Sequence, residues 1–304
     1  MAIPDYEACM LPLLRLAAYD GNHMLKEVLP TLADQFGLTE AERNELLPSG
    51  QENVFRNRVS WANTYLKKAG LLRSERRGYF SITERGKNVL AQHPQSIDVK
   101  FLAQFPEFQA FKGASKGGST VEDVPTPEPA VTQTPLELLE TAYAKIRSEL
   151  TAEVLDRIKA ESPSVFERVV VELLLRMGYG GSRADAGQAI GKSGDEGLDG
   201  VIKEDRLGLE IIYLQAKRWT ATVGRPEIQK FAGALHGQHA SKGIFITTSD
   251  FSREAHEYVA RIGSKIVLID GLTLAQLMID FGVGVVTEKI YEVKRVDSDF
   301  FESI

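Results

Sequence analysis

Apolar residues recur at helical spacing through residues 1–93 and predict a small, mostly helical domain. Glycines and polar turns divide this pattern into separate helices, and two short apolar runs around Gly78 predict a hairpin. In chain order we expect helices over 6–18, 23–36 and 54–69, a hairpin over 71–82 and a last helix over 84–91. Three helices followed by a hairpin are typical of a winged helix-turn-helix domain.

Residues 135–304 alternate between helical stripes and short β-branched runs, which predicts an α/β domain. Residues 94–134 are predicted to be a linker, rich in Gly, Ser and Pro from about residue 112. The first helix of the second domain carries a long apolar stripe, which either packs on that domain or supports a dimer. The members of this stripe are Leu136, Leu139, Tyr143, Ile146, Leu150, Val154 and Ile158.

A predicted hairpin in the second domain brings three polar side chains to one place. Two apolar strand patterns flank a polar turn at 203–208, and positions 199 and 215 lie symmetrically about residue 207. In an antiparallel pair Asp199 and Gln215 would therefore face each other. Lys217 lies two residues beyond Gln215 and shares its face of the strand. The hairpin thus predicts a cluster of a carboxylate, an amide and an ammonium group.

Metal-assisted cleavage of a phosphodiester requires groups of this kind. Mg²⁺ prefers oxygen ligands and keeps several waters, and a metal can lower the pKa of water near a phosphate. A lysine can orient that water or offset the charge of the phosphate. An edge hairpin with a buried salt bridge between Asp199 and Lys217 has the same spacing, and spacing alone does not separate the two interpretations.

Four segments of the second half resemble the Mrr-type restriction endonucleases, the QxK branch of the PD-(D/E)xK nucleases. These segments are Gly-Asp-Glu-Gly-Leu-Asp-Gly at 194–200, Gln-Ala-Lys-Arg-Trp at 215–219, residues 223–229 and residues 243–249. The resemblance covers most of residues 135–290, and the amino-terminal part also resembles that family's DNA-binding domain. It implies a restriction-endonuclease-like α/β sandwich with a mixed sheet.

The resemblance also implies roles for individual residues. Asp199 would be a metal ligand, and Gln215, at the second acidic position of the wider superfamily, would offer a neutral oxygen. The carbonyl of Ala216 would add a ligand, and Lys217 would position water. Glu167 would supply an acidic group from the preceding helix, although a glutamate near a helix start can also simply complement the helix dipole.

The net charge of −6 does not favour nucleic-acid binding, but binding depends on local patches. Basic residues crowd the segment 56–87, and we expect the third helix to enter the major groove. The candidate groove residues are Arg56, Asn57, Arg58, Ser60, Asn63 and Thr64. Arg76 and Arg77 on the hairpin are candidate phosphate contacts. The alternative is that these arginines form only a solvated face.

Together these features predict a Mg²⁺-dependent DNA endonuclease. The resemblance implies a restriction enzyme that cleaves methylated, foreign double-stranded DNA as a homo-oligomer. A non-catalytic DNA-binding regulator with a degenerate nuclease domain, or a structure-selective repair nuclease, remain alternatives. The single cysteine, Cys9, and the absence of a signal peptide or membrane-length apolar run predict a cytoplasmic, nucleoid-associated protein without a membrane partner.

Overall fold

The chain folds into two compact units. The structure, a computed structural model, describes residues 2–19, 21–74, 78–115, 133–180, 198–204, 210–294 and 296. Residues 1–145 together with 294–304 form the amino-terminal unit, and residues 146–293 form the carboxy-terminal unit.

The amino-terminal unit surrounds a small antiparallel sheet with helices. Its elements are α1 (Tyr6–Leu16), β1 (His23–Met24), α2 (Leu25–Gln35), α3 (Glu40–Arg43), α4 (Val54–Lys68), β2 (Leu72–Arg73), β3 (Tyr79–Ile82), α5 (Glu84–Ala91), α6 (Val99–Leu102) and α7 (Pro106–Ser115). The strand order is β1-β3-β2. Helix α2 begins two residues later than predicted, because His23 and Met24 pair with β3. Helices α1, α2 and α4, strands β2 and β3 and helix α5 follow one another in the predicted order.

Apolar faces of α1 and α4 form the centre of this unit's core. Asp5 caps α1 by accepting a hydrogen bond from the N–H of Ala8 at 2.7 Å, and Asn53 caps α4 in the same way through the N–H of Arg56 at 3.0 Å. Cys9 lies inside this core, and burial raises the pKa of its thiol to about 12. Cys9 is therefore a core residue.

Part of the predicted linker belongs to this core. Ile97, Leu102 and Phe108 are buried in it. The ring centroids of Phe108 and of Tyr65 on α4 lie 5.5 Å apart, in an edge-on contact. Helices α6 and α7 are thus packed on the amino-terminal unit, which corrects the predicted linker boundary at residue 94. Burial stabilises the aromatic and aliphatic side chains of this segment, and this favours a packed segment over a flexible linker.

The predicted start of the second domain at residue 135 also differs from the structure. Helix α8 (Pro135–Ala160) begins within the amino-terminal unit. Thr134 accepts a hydrogen bond from the N–H of Glu137 at 3.1 Å, and both residues bond to side chains of α4. Because these bonds join the start of α8 to α4, the first part of α8, up to residue 145, belongs to the amino-terminal unit.

The carboxy-terminal unit is an α/β sandwich with a mixed sheet, as predicted. After the second part of α8 come α9 (Pro163–Arg176), β4 (Gly200–Lys203), β5 (Ile211–Lys217), α10 (Arg225–Gly237), β6 (Lys242–Thr247), α11 (Arg253–Val259), β7 (Lys265–Ile269) and α12 (Gly271–Asp280). The strand order is β4-β5-β6-β7. The first pair is antiparallel, and the other two pairs are parallel.

Alternating side chains of β6 divide this unit's core into two layers. Ile244 and Ile246 pack with residues of α8, α9 and α12, while Phe245 packs with α10 and α11. This follows from the period of two in a strand, which sends successive side chains to opposite faces of the sheet. Helices therefore cover both faces, and the sheet can hold a site only at its edges or strand ends.

The apolar stripe of α8 is only partly covered. Its later members Val154 and Ile158 are buried in the carboxy-terminal unit, whereas Leu139, Tyr143 and Ile146 are exposed. Within the described residues, no helix has both the length and the apolar character needed to cross a membrane.

Candidate active site

The hairpin β4–β5 has the register that the symmetry of its turn predicted. Gly200 pairs with Leu214, and the N–H of Asp199 donates to the carbonyl of Leu214 at 2.9 Å. Asp199 is thus attached to β5 beside Leu214, one residue before β4 begins. The candidate site therefore lies where β4 begins and β5 ends.

The Asp199 carboxylate is held by the chain around Lys217. The N–H of Ala216 donates to Asp199 Oδ2 at 2.8 Å, and Lys217 Nζ lies 3.5 Å from both Asp199 oxygens. Their side chains are 21% and 27% exposed, so the pair is sheltered but reachable from solvent. The predicted salt bridge is thus present, and it sits in an accessible place that a substrate group can enter.

Gln215 and Ala216, the other predicted ligands, lie directly before Lys217 on β5. Gln215 is 7% exposed, because β5 is an inner strand paired on both sides. Among the described residues, no group of three or more His, Cys, Asp or Glu side chains gathers where a metal could bind. The residues predicted as ligands would therefore offer one carboxylate, one amide oxygen and one carbonyl oxygen, which suit a hard cation such as Mg²⁺ but carry little negative charge.

Glu167 lines the same small pocket as Asp199. The pocket lies between α9 and the start of the hairpin, and its other lining residues are Val170, Val171, Gly200, Leu214 and Ala216. Glu167 is the fifth residue of α9, and the first turn of that helix contains no acidic residue. The helix-dipole alternative thus loses its basis, since the dipole acts within the first turn.

Two hydroxyl side chains directly after β6 bond to the chain that follows Lys217. Hydroxyl residues just before a helix commonly cap it by accepting hydrogen bonds from its first N–H groups. Ser252 does cap α11, accepting from the N–H of Ala255 at 3.3 Å. Thr248 and Ser249 instead donate to the carbonyls of Trp219 and Ala221, both at 2.8 Å. Sequence reasoning missed this contact, and its only local signal is the run of three hydroxyl residues directly after a strand.

Helix α4 presents only some of the predicted DNA-contacting residues to solvent. Arg56 is exposed, and Ser60, Asn63 and Thr64 are partly exposed. The Oδ1 atom of Asn63 is buried and has no hydrogen-bond partner. The predicted phosphate contacts Arg76 and Arg77 lie outside the described residues.

Asn57 and Arg58 do not face solvent as the groove prediction requires. Asn57 is buried, and its Oδ1 accepts a hydrogen bond from Thr134 at 2.6 Å. Arg58 forms a two-pronged ion pair with Glu137, with N···O distances of 2.8 and 3.0 Å. These contacts correct the prediction for both residues: their side chains attach the start of α8 to α4.

Two family models match the chain. A model of the Mrr N-terminal domain matches residues 6–92, and a restriction endonuclease model, the Mrr catalytic domain, matches residues 158–278. A curated relative, the type IV methyl-directed restriction enzyme EcoKMrr of Escherichia coli (strain K12), is 40% identical over 310 residues, which cover 99% of this chain and 100% of the relative. The chain belongs to the Mrr family of restriction endonucleases.

Two solved structures show weaker similarity to this Mrr family member. The DNA modification-dependent restriction endonuclease AspBHI is 17% identical with a TM-score of 0.37, and the match covers 70% of this chain and 56% of that one. The MspJI restriction endonuclease in complex with a 27-mer oligonucleotide is 18% identical with a TM-score of 0.29, covering 65% and 42%. At these TM-scores the likeness supports no conclusion about this chain.

Membership of the Mrr family makes this protein an endodeoxyribonuclease. The catalytic-domain match includes Glu167, Asp199, Gln215 and Lys217, and the N-terminal match includes α4 and the hairpin β2–β3. The residues that form the pocket and the exposed face of α4 thus lie inside the two matched domains.

Proposed function

We propose that this Mrr family member is a Mg²⁺-dependent restriction endonuclease that cleaves methylated double-stranded DNA. The observation that carries the proposal is the meeting of Asp199 and Lys217 at the end of an inner strand, with Ala216 holding the carboxylate. The preference for methylated DNA rests on the curated relative, whose name describes it as methyl-directed.

Each residue of the site has a chemical task that fits its surroundings. Asp199 and the oxygens of Gln215 and Ala216 would hold the cation, which when bound would supply positive charge beside the scissile phosphate and acidify nearby water. Lys217 would orient the attacking water and stabilise negative charge developing on the phosphate. Glu167, in the same pocket, would accept hydrogen bonds from waters around the cation.

DNA binding is proposed to use the exposed face of α4. Arg56, Ser60 and Asn63 are three or four residues apart, so they lie on one side of the helix. Arg76 and Arg77, which lie between β2 and β3 in the sequence, would add phosphate contacts, which strengthen binding without selecting sequence. The acidic net charge of the chain does not oppose this, because the basic residues of this segment act locally.

Cleavage of plasmid DNA tests the proposal directly. The wild-type protein and Lys217→Ala are incubated with methylated and unmodified plasmid, with Mg²⁺ or with EDTA. We expect the wild type to cut methylated plasmid only with Mg²⁺. Lys217→Ala should cut at least about a hundredfold more slowly, because it lacks the group that stabilises the transition state.

Lys230→Ala is the matched control, because Lys230 is an exposed lysine on α10 of the same unit. This control should cut like the wild type, and both variants should retard DNA in a gel like the wild type. Wild-type cleavage rates for Lys217→Ala would contradict the assignment of the site. Gel retardation by the wild type without any cutting would favour a DNA-binding regulator instead.

A further inference from the structure

A ladder of hydrogen bonds continues the β5–β6 pairing beyond the last residue of each strand. The carbonyl of Lys217 accepts from Thr247 Oγ1 at 2.9 Å and from the N–H of Thr248 at 3.3 Å. Two and four residues on, the carbonyls of Trp219 and Ala221 accept from the hydroxyls of Thr248 and Ser249. Every second carbonyl of residues 217–221 therefore bonds to a side-chain hydroxyl.

Backbone bonds complete this ladder at its far end. The N–H of Val223 donates to the carbonyl of Asp250 at 2.8 Å, and the N–H of Ser252 donates to the carbonyl of Val223 at 3.0 Å. The segment after Lys217 is thus attached to residues 247–252 along its whole length, although neither stretch is a regular strand there.

The hydroxyl segment is itself firmly packed. Thr247 and Thr248 are almost completely buried. The first residue of α12, Gly271, approaches so closely that a Cβ built on it would lie 2.4 Å from the carbonyl oxygen of Thr248, and its N–H donates to the carbonyl of Ser249 at 2.8 Å. Helix α12 therefore packs against residues 247–249 and restrains them. These residues form a rigid support for the loop that follows Lys217.

We propose that Thr247, Thr248 and Ser249 are positioning residues for cleavage, which fix Lys217 and the loop 218–222 through this ladder. The inference rests on the proposed nuclease function and deepens it, because it names residues that act through Lys217 rather than on DNA. Lys217 is the last residue of β5, and its carbonyl accepts from the Thr247 hydroxyl, from the N–H of Thr248 and, within the loop itself, from the N–H of Trp219 at 3.0 Å.

The geometry of the ion pair makes this support important. Lys217 Nζ lies 3.5 Å from each Asp199 oxygen, at the long limit of a hydrogen bond, so the pair alone holds the ammonium group loosely. A displacement of about 1 Å of a catalytic group can reduce the rate about a hundredfold. The backbone of Lys217 must therefore be fixed by other contacts, and the ladder supplies them.

Rates of methylated-plasmid cleavage with Mg²⁺ test the proposal. Thr247→Val keeps the shape of the side chain but removes the donor to the Lys217 carbonyl. We expect a kcat reduced about tenfold or more with KM nearly unchanged, since DNA contacts are retained. Thr247→Ser restores the hydroxyl and should return kcat to within about twofold of the wild type.

Thr151→Val is the matched control, because Thr151 is also a buried threonine whose hydroxyl bonds to a backbone carbonyl, that of Arg147 within α8. It should cleave like the wild type. If Thr247→Val cleaves at the wild-type rate while Lys217→Ala does not, the ladder proposal is overturned and the nuclease proposal stands. If Lys217→Ala also cleaves at the wild-type rate, the nuclease site itself is wrongly assigned.

Tryptophan fluorescence gives a second readout that needs no cleavage. The chain has two tryptophans, Trp61 and Trp219, and Trp219 lies in the loop with its side chain 37% exposed. In a Trp61→Phe background, acrylamide quenching reports the exposure of Trp219 alone. Thr248→Val should increase the quenching constant and Thr248→Ser should not. Unchanged quenching in Thr248→Val would overturn the proposal, whatever the cleavage rates.

Discussion

At the scale of the residue, Gln215 determines how strongly the site can hold a cation by itself. It occupies a buried position on an inner strand, two residues before Lys217, which pairs with the Asp199 carboxylate. An amide oxygen can coordinate a hard cation but brings no negative charge, so metal affinity should be low until DNA phosphate adds charge. The neutral residue thus links metal binding to the presence of the substrate.

Replacing Gln215 by glutamate should remove that link. We expect Gln215→Glu to bind Mn²⁺ or Mg²⁺ about tenfold or more tightly than the wild type in the absence of DNA, because the second carboxylate adds ligand charge. Isothermal titration calorimetry without DNA measures this. In EDTA the variant should be less stable by about 1–3 kcal/mol, since it places a charged group at a buried position.

Gln238→Glu is the matched control for that experiment. Gln238 is exposed at the end of α10 in the same unit, so the same chemical change there should leave metal affinity unchanged. Equal metal binding by Gln215→Glu, Gln238→Glu and the wild type would show that position 215 does not contribute to the cation site.

At the scale of the element, α4 carries two arginines with different roles. Arg56 is exposed, whereas Arg58 and Glu137 have side chains only 16% and 5% exposed and are joined by two hydrogen bonds. A buried pair contributes little net stability but is costly to break, because removal of one partner leaves the other charge unpaired. Arg58 should therefore matter for folding and Arg56 for DNA.

Alanine substitution separates these roles. Arg58→Ala should lower the free energy of unfolding of the amino-terminal unit by about 3–5 kcal/mol, measured by urea titration of Trp61 fluorescence in a Trp219→Phe background. Arg56→Ala should leave stability unchanged but weaken DNA binding, and should reduce the slope of log K against log salt by about 1. If folded Arg58→Ala, rather than Arg56→Ala, showed the reduced slope of log K against log salt, the roles of the two arginines would be exchanged.

The contrast between the hairpin and α4 shows which features of the sequence were predictive. The register of the β4–β5 hairpin follows from a local turn and the period of two along a strand, so the sequence was sufficient to predict it. The partners of Asn57 and Arg58 lie 77 and 79 residues away, and no local pattern indicates them. The same limit applies to Thr248, whose hydroxyl bonds to a carbonyl 29 residues earlier.

At the scale of the whole molecule, the exposed part of the α8 stripe requires explanation. Leu139, Tyr143 and Ile146 are three or four residues apart on one helix, and Tyr143 and Ile146 are each 62% exposed. Exposed apolar stripes of this kind commonly mark interaction surfaces. Each chain supplies one Asp199–Lys217 site among its described residues, whereas a duplex has two strands to cut. A two-fold dimer, the commonest symmetric assembly, would provide both sites.

We therefore propose that two copies associate through this face of α8, and sedimentation velocity tests the proposal. The wild type should sediment as a dimer or larger species at micromolar concentration, and Tyr143→Ser with Ile146→Ser should shift it toward monomer, because burial of each large apolar side chain contributes about 1.5–3 kcal/mol. On methylated plasmid this variant should give mainly nicked circles, where the wild type gives linear product.

Tyr19→Ser is the control, since Tyr19 is also well exposed, at 71%, but lies after α1. A wild type that stays monomeric yet produces linear DNA would contradict the need for two copies.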